Sequence, residues 1–211
     1  MESGNTKVLI GKVRASYAHV FVPTSFEEGG KKKYSVSLII PKSDTALVEK
    51  IKAAISNALA IGKQSLWGGT IPRGLRDPLQ DGDKMRPDDE AYADSYFVSA
   101  KSDHKVGVNK VKGRKMVEGK QKLILEEITD EEEFYSGCYV YASVNFYPYK
   151  TGGKGIAASL DNILKVEDGE PLSGGGASAE SDFGDLDLPE EDMPFPAGAD
   201  PFGQGGDECP Y

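Results

Sequence analysis

Tyr139, Tyr141, Tyr147 and Tyr149 alternate along one stretch of the chain, and a glycine-rich turn carrying Lys150 and Lys154 follows them directly. Aromatic rings on one strand face, set beside cations, suit a ribbon of stacked bases with a phosphate backbone. The same tyrosines also suit plain sheet-building, since tyrosine favours strands and cross-strand aromatic pairs stabilise sheets. A second source of positive charge is the segment Lys105 to Lys122, with seven cations (Lys105, Lys110, Lys112, Arg114, Lys115, Lys120, Lys122) and one acid, Glu118. Its cations repel one another unless an anion arrives, which points to phosphate. Lys12, Arg14, Lys33 and Lys101, on earlier strands, complete the candidate nucleic-acid-binding set.

Other chemistries find less support. His19 and His104 have no cysteine or histidine at metal-ligand spacing, and Cys138 and Cys209 are too few for a disulfide framework. No metal or cofactor is therefore expected. Asp77, Asp81, Asp83 and Asp103 would be the carboxylates of a metal-dependent nuclease, but no base stands at a convincing spacing. Trp67 is either a barrel plug or a stacking platform, with the plug favoured.

The elements that must position these groups are mostly strands. Between Gly137 and Tyr149, Cys138, Val140, Ala142, Val144 and Phe146 share the face opposite the tyrosines, so this strand has one core face and one open face. Lys7 to Tyr17 alternates, with Leu9, Val13 and Ala15 on one side and Ile10, Lys12 and Arg14 on the other; Gly11 suggests a bulge. Lys32 to Ile40 sets Tyr34, Val36, Leu38 and Ile40 against Lys33, Ser35 and Ser37. Ser43 or Asp44 caps a helix to about Ile61, with Gly62 as its C-terminal cap. A long Gly/Pro-rich connection, residues 63 to 93, precedes a third strand from Asp94 to Ser102. The basic segment is a hairpin or loop, and Lys122 to Ile128 is a short strand. One helix and several short strands predict a mainly β protein with an OB-fold-like small barrel.

Charge divides the chain. All 25 lysines and arginines lie at or before Lys165, with 21 of the 34 acids; the last 46 residues hold the other 13 acids and no cation. The expected organisation is a frayed N-terminus (1–6), a barrel domain (7–166) and a disordered acidic tail (167–211). The linker-like Ser173–Ser178 stretch opens a tail punctuated by two Pro-aromatic motifs. One is Met193-Pro194-Phe195; the other is Asp207-Glu208-Cys209-Pro210-Tyr211. No apolar run is long enough to span a bilayer, and no hydrophobic signal segment opens the sequence.

The run DEEEFYSGCYVYASVNFYPYKTGGKGIAASLDNI, with PLQDGD and YFVSAKS before it, closely resembles a phage and prophage family of single-stranded DNA-binding proteins. The resemblance covers about Lys7 to Val166, and its motifs at Gly137–Tyr149 and Gly152–Asn162 carry over as blocks. It implies an OB-fold and sequence-tolerant binding of single-stranded DNA in phage replication, recombination or repair, inside the bacterial host cell. The tail is similar to the acidic tails of bacterial and phage single-strand binders, which implies docking of partner proteins; its charge, opposite to that of the body, points to competition for the DNA groove. RNA binding or strand annealing on the same surface is the alternative.

Overall fold

The computed structural model describes residues 4–25 and 29–172. Its strands are β1 (Lys7–Thr24), β2 (Lys33–Pro41), β3 (Leu79–Asp81), β4 (Ser95–Ser102), β5 (Gly107–Val117), β6 (Lys120–Glu127), β7 (Tyr139–Tyr149) and β8 (Gly155–Glu167). Helix α1 (Thr45–Ser65) follows β2; the one-turn α2 (Gly82–Met85) and a 3-10 turn (Glu90–Tyr92) precede β4. The strands form one sheet in the order β3-β4-β2-β1-β7-β8-β5-β6, and an extra parallel pairing of β4 with β8 closes it. The closed circuit β1-β2-β4-β8-β7 is a five-stranded barrel of the OB type, as the strand pattern predicts. The β5–β6 hairpin stands outside that circuit, with its base paired in parallel to residues 162–165 of β8.

Alternation sends Val140, Ala142, Val144 and Phe146 of β7 into the core and leaves its tyrosines half-buried or exposed. On β2, Val36, Leu38 and Ile40 point the same way. Helix α1 begins where the Asp44 carboxylate accepts the Leu47 N–H at 3.0 Å. It buries Leu47, Val48, Ile51, Ala54, Ile55 and Ala58 against the barrel. Burying such a stripe, rather than helix propensity, holds a helix of this length in place.

Two details depart from the sequence reading. The bulge at Gly11 is present, because Ile10 pairs with Ala142 while Val13 pairs with Val140. The extra residue inverts the alternation: Val8 and Ile10 are buried before it, Val13 and Ala15 after it, and Leu9 is 65 % exposed. Leu9 and Val13 are therefore on opposite faces, not the same one. Gly62 is no cap, since α1 continues to Ser65. A Cβ on Gly62 would lie 2.6 Å from the Trp67 ring and 2.7 Å from Pro148, so glycine is what lets the tryptophan pack on the helix. Trp67 is accordingly half-buried against the core, in the plug role.

Both ends of the body are held. Thr6 donates to Asn145 Oδ1 at 2.8 Å, and Asn57 donates to the Asn5 carbonyl at 3.0 Å. Past β8, the Leu172 N–H reaches the Ser136 carbonyl at 2.7 Å, and Arg14 donates to the Glu170 carbonyl at 2.6 Å. The tail motifs, 193–195 and 207–211, and the 173–178 linker lie outside the described residues.

Gly62→Ala tests the packing against the propensity. Alanine gains about 1 kcal/mol in a helix interior, but overpacking costs about 1–3 kcal/mol. The expected result is a lower melting temperature, by roughly 2–4 °C per kcal/mol lost. A higher one would show that Trp67 and Pro148 yield freely.

Candidate nucleic-acid interface

The outward residues of β2 and β4 form the floor of a long groove. Ser35, Ser37 and Ser99 line it, and Ser37 and Ser99 hydroxyls meet across the strand pair at 3.0 Å. The floor continues along β8 with the small side chain of Ala157. The groove has two lobes, of about 900 Å³ and about 340 Å³, which share Ser99 and Lys101.

Larger groups form its walls. In the wider lobe stand Tyr147 and Tyr149 from β7, Lys33 from β2, Lys101 from β4, and Arg76 and Gln80 from the connection after α1. That connection is tied to the barrel by main chain: the Arg76 N–H donates to the Lys154 carbonyl and the Ile156 N–H to the Arg76 carbonyl, each at 3.1 Å. Gly155 permits the approach, because a Cβ there would lie 2.6 Å from the Arg76 carbonyl oxygen. Lys150 and Lys154 are exposed on the turn that borders this lobe.

In the narrower lobe, Tyr17 faces Arg86. The β1–β2 register slips between Ser16, opposite Ser37, and His19, opposite Ser35. Tyr17 lies in that slip with φ of +47°, left-handed backbone that a bulky aromatic seldom adopts. Tyr17 is 46 % exposed, with the Arg86 guanidinium 4.4 Å from the centre of its ring. The same guanidinium lies 4.7 Å from the centre of the Tyr92 ring and 5.4 Å from that of Phe97, so it is within cation–π distance of three rings. Strain of this kind concentrates at binding sites.

The candidate residues from the sequence divide into groups. Lys33, Lys101, Tyr147 and Tyr149 come together in the groove, with Lys150 and Lys154 beside it. Lys12 pairs with Glu167 and sits 5.3 Å over Tyr139, at the far end of β7. Its proton is held above the ordinary lysine range, chiefly by the hydrogen bond to Glu167. Arg14 is engaged by the Gly137 and Glu170 carbonyls. Tyr141 and Arg114 line a separate, mostly apolar cleft of about 730 Å³ beneath the hairpin. The basic hairpin also brings its own anions: Lys105 pairs with Glu127, Lys110 with Glu133 and Lys112 with Glu126. Lys115 and Arg114 make no ion pair among the described residues.

Tyr17, Arg76 and Arg86 were not singled out from the sequence. The only signal for the two arginines is the length of the connection that carries them, since long loops tend to be functional. Tyr17 gives none, because its exposure follows from a bulge that pairing with β2 creates.

The four carboxylates of the nuclease reading are occupied within the chain. Lys42 bridges Asp81, at 2.7 Å, and Asp83; Lys31 and Lys33 flank Asp103 at 3.1 and 3.3 Å; Asp77 accepts the Leu79 N–H. Hydrogen bonds from Lys42 hold both Asp81 and Asp83 below the usual carboxylate range, and Lys31 followed by Lys33 does so for Asp103.

A closed OB-type barrel with an aromatic and cationic groove defines a class of oligonucleotide-binding modules. Comparison narrows the class: the family model described as the ssDNA-binding protein of Enterobacter phage Enc34 matches residues 6–193, and the chain belongs to that family. A protein designated p50, of Acyrthosiphon pisum secondary endosymbiont phage 1, is 33 % identical over 193 residues, covering 88 % of this chain and 97 % of its own. The structure of the bacteriophage Enc34 protein in complex with ssDNA superposes with a TM-score of 0.66 at 26 % identity, over 80 % of this chain and 90 % of that one. The fold is shared with gp2.5, a single-stranded DNA-binding protein of bacteriophage T7, at a TM-score of 0.52 and 19 % identity, over 84 % and 93 % of the two chains.

The Lys42 bridge has a consequence at acid pH. Because Asp81 and Asp83 are depressed in the folded state, their stabilisation is complete above the ordinary aspartate value and is lost as pH falls through the depressed values. Lys42→Ala should therefore flatten the dependence of melting temperature on pH on the acid side of that value. An unchanged slope would mean that the bridge contributes nothing in solution.

Proposed function

We propose that this chain is a non-catalytic, sequence-tolerant single-stranded DNA-binding protein that serves phage DNA replication, recombination or repair inside the host cell. The observation that carries this reading is the groove over β2, β4 and β8, which has rings at both ends, lysines between them and a floor of serine and alanine. Bases stack on Tyr147, Tyr149 and the Tyr17–Arg86 pair, while Lys33, Lys101, Arg76 and the 150–154 turn follow the phosphates. Stacking uses the π-face that every base shares, so affinity depends little on sequence. Membership of the Enc34 family and the ssDNA complex of the Enc34 protein support the same reading.

The test is titration of a fluorescent oligo-dT with wild-type protein and with Tyr17→Ala and Tyr147→Ala. Each substitution should weaken binding by about 1–3 kcal/mol, and Tyr139→Ala, at the far end of β7, should leave it unchanged. Oligo-rU and duplex titrations alongside distinguish a DNA binder from an RNA binder. If both groove variants are folded and bind as tightly as wild type, DNA lies elsewhere.

The tail adds regulation to this reading. Ten acids without a cation follow Leu172; tethered to a body that holds every lysine and arginine, they compete with phosphate at an effective concentration on the order of millimolar for short linkers. DNA displaces the tail and frees 193–195 or 207–211 for replication or recombination proteins. Truncation after Leu172 keeps the barrel and its hairpin whole and should tighten oligo-dT binding, most at low salt where screening is weakest. Equal affinities at low and high salt would remove the competition from the account.

A further inference from the structure

Strand β6 is the last strand of the sheet, and among the described residues its outer edge pairs with nothing. It is eight residues long and contains no proline. At its centre Leu123, Ile124 and Leu125 are 45, 37 and 50 % exposed. Soluble proteins usually blunt such an edge with shortness, proline or charge at its middle, because its free N–H and C=O groups template another strand. The opposite edge, β3, is blunted in this way: it has three residues and runs straight into α2.

We infer that the free β6 edge is the site where a second copy of this chain pairs, antiparallel, about a two-fold axis through Ile124. The strand reads Lys-Gln-Lys-Leu-Ile-Leu-Glu-Glu from Lys120 to Glu127. Its basic start and acidic end are complementary to themselves when reversed. A two-fold axis normal to the sheet preserves the faces, so residues placed opposite each other must have the same parity. Centring on Ile124 sets Leu123 opposite Leu125 of the second copy and Lys122 opposite Glu126, with Gln121 opposite Glu127. Centring on Leu123 would set Lys122 against Ile124, and centring on Leu125 would set Leu123 against Glu127. Only the Ile124 register matches apolar with apolar and cation with anion.

The neighbouring groups fit this register. Lys120 and Lys122 make no ion pair among the described residues. Glu126 lies on the same face of the hairpin as Lys122 and already holds Lys112 at 2.8 Å. On the other face Leu123 and Leu125 border the apolar cleft with Val111 and Tyr141. Pairing therefore adds the apolar rows of two copies into one. Cross-strand apolar and opposite-charge pairs each contribute about 0.2–1 kcal/mol. Because β3 is too short to extend the sheet at the far end, pairing stops at two copies, as an isologous contact should.

The test uses the full chain and light scattering on a sizing column. Wild type should run at twice the 22.7 kDa of one chain. Lys122→Glu sets glutamate against Glu126 at both symmetric positions, and Glu126→Lys sets lysine against Lys122, so each variant alone should run as one chain. An equimolar mixture of the two variants should recover the doubled mass, because both crossed pairs become attractive. Tyr147→Ala, which alters the groove and touches nothing at this edge, should keep the doubled mass, which keeps failure at this edge separate from failure at the groove. Wild type running as one chain at every concentration would overturn the inference. So would single variants that remain double, or a mixture that stays single.

Discussion

Two pairs of residues, Ala100 with Ala158 and Lys101 with Ser159, join β4 to β8 and turn an open sheet into a barrel. β8 can make this contact only because it divides one edge between two neighbours. Residues 158–159 face β4, residues 162–165 face β5, and the whole other edge belongs to β7. A shift of a few residues would leave main-chain groups unpaired or open the barrel wall, and such groups are costly to bury. Small side chains make the closure possible. Ala157 and Ser159 leave room on the outer face where β8 meets β4, and that room is the groove, while Ala158 between them lies in the core.

From this closure the placement of the groove groups follows. Lys101 lies opposite Ser159 on one side and Ser35 on the other, so its cation stands over a shallow floor. Tyr147 lies opposite Ala157, and Tyr149 opposite Gly155, so each ring borders an open space rather than another large side chain. The hairpin shows the contrasting arrangement. Three of the seven cations in this segment, Lys105, Lys110 and Lys112, face carboxylates from β6 or from Glu133, and such exposed pairs contribute little to stability while lowering the field available to a phosphate.

Much of this was legible in the residues. The β7 alternation, the faces of β2 and β4, the Asp44 cap and the Gly11 bulge are local, and local rules read them. The face of Leu9 was not legible, because a bulge inverts parity and its exact position depends on the partner strand. Gly62 reads as a helix end until Trp67 is known to pack on it. The hairpin cations read as unpaired until β6 supplies Glu126 and Glu127 across the ladder. Tyr17 and Arg86 are separated by 69 positions in sequence and meet only because β1 bulges and the 63–93 connection folds over the sheet. Of the four tyrosines on β7, two enter the groove. The others lie too far along the strand, since Tyr139 and Tyr149 are ten residues, about 33 Å, apart at the usual strand rise.

The central claim is that single-stranded DNA lies across β2, β4 and the start of β8, between the Tyr17–Arg86 pair and Tyr147. Photocrosslinking of a halogenated oligo-dT to the full chain, followed by peptide mapping, tests it most directly. The account predicts adducts on Tyr17, Tyr147 or Tyr149 that a competing unlabelled oligo-dT removes. Competed adducts confined to Tyr139, Tyr141 or the 107–127 hairpin would contradict it.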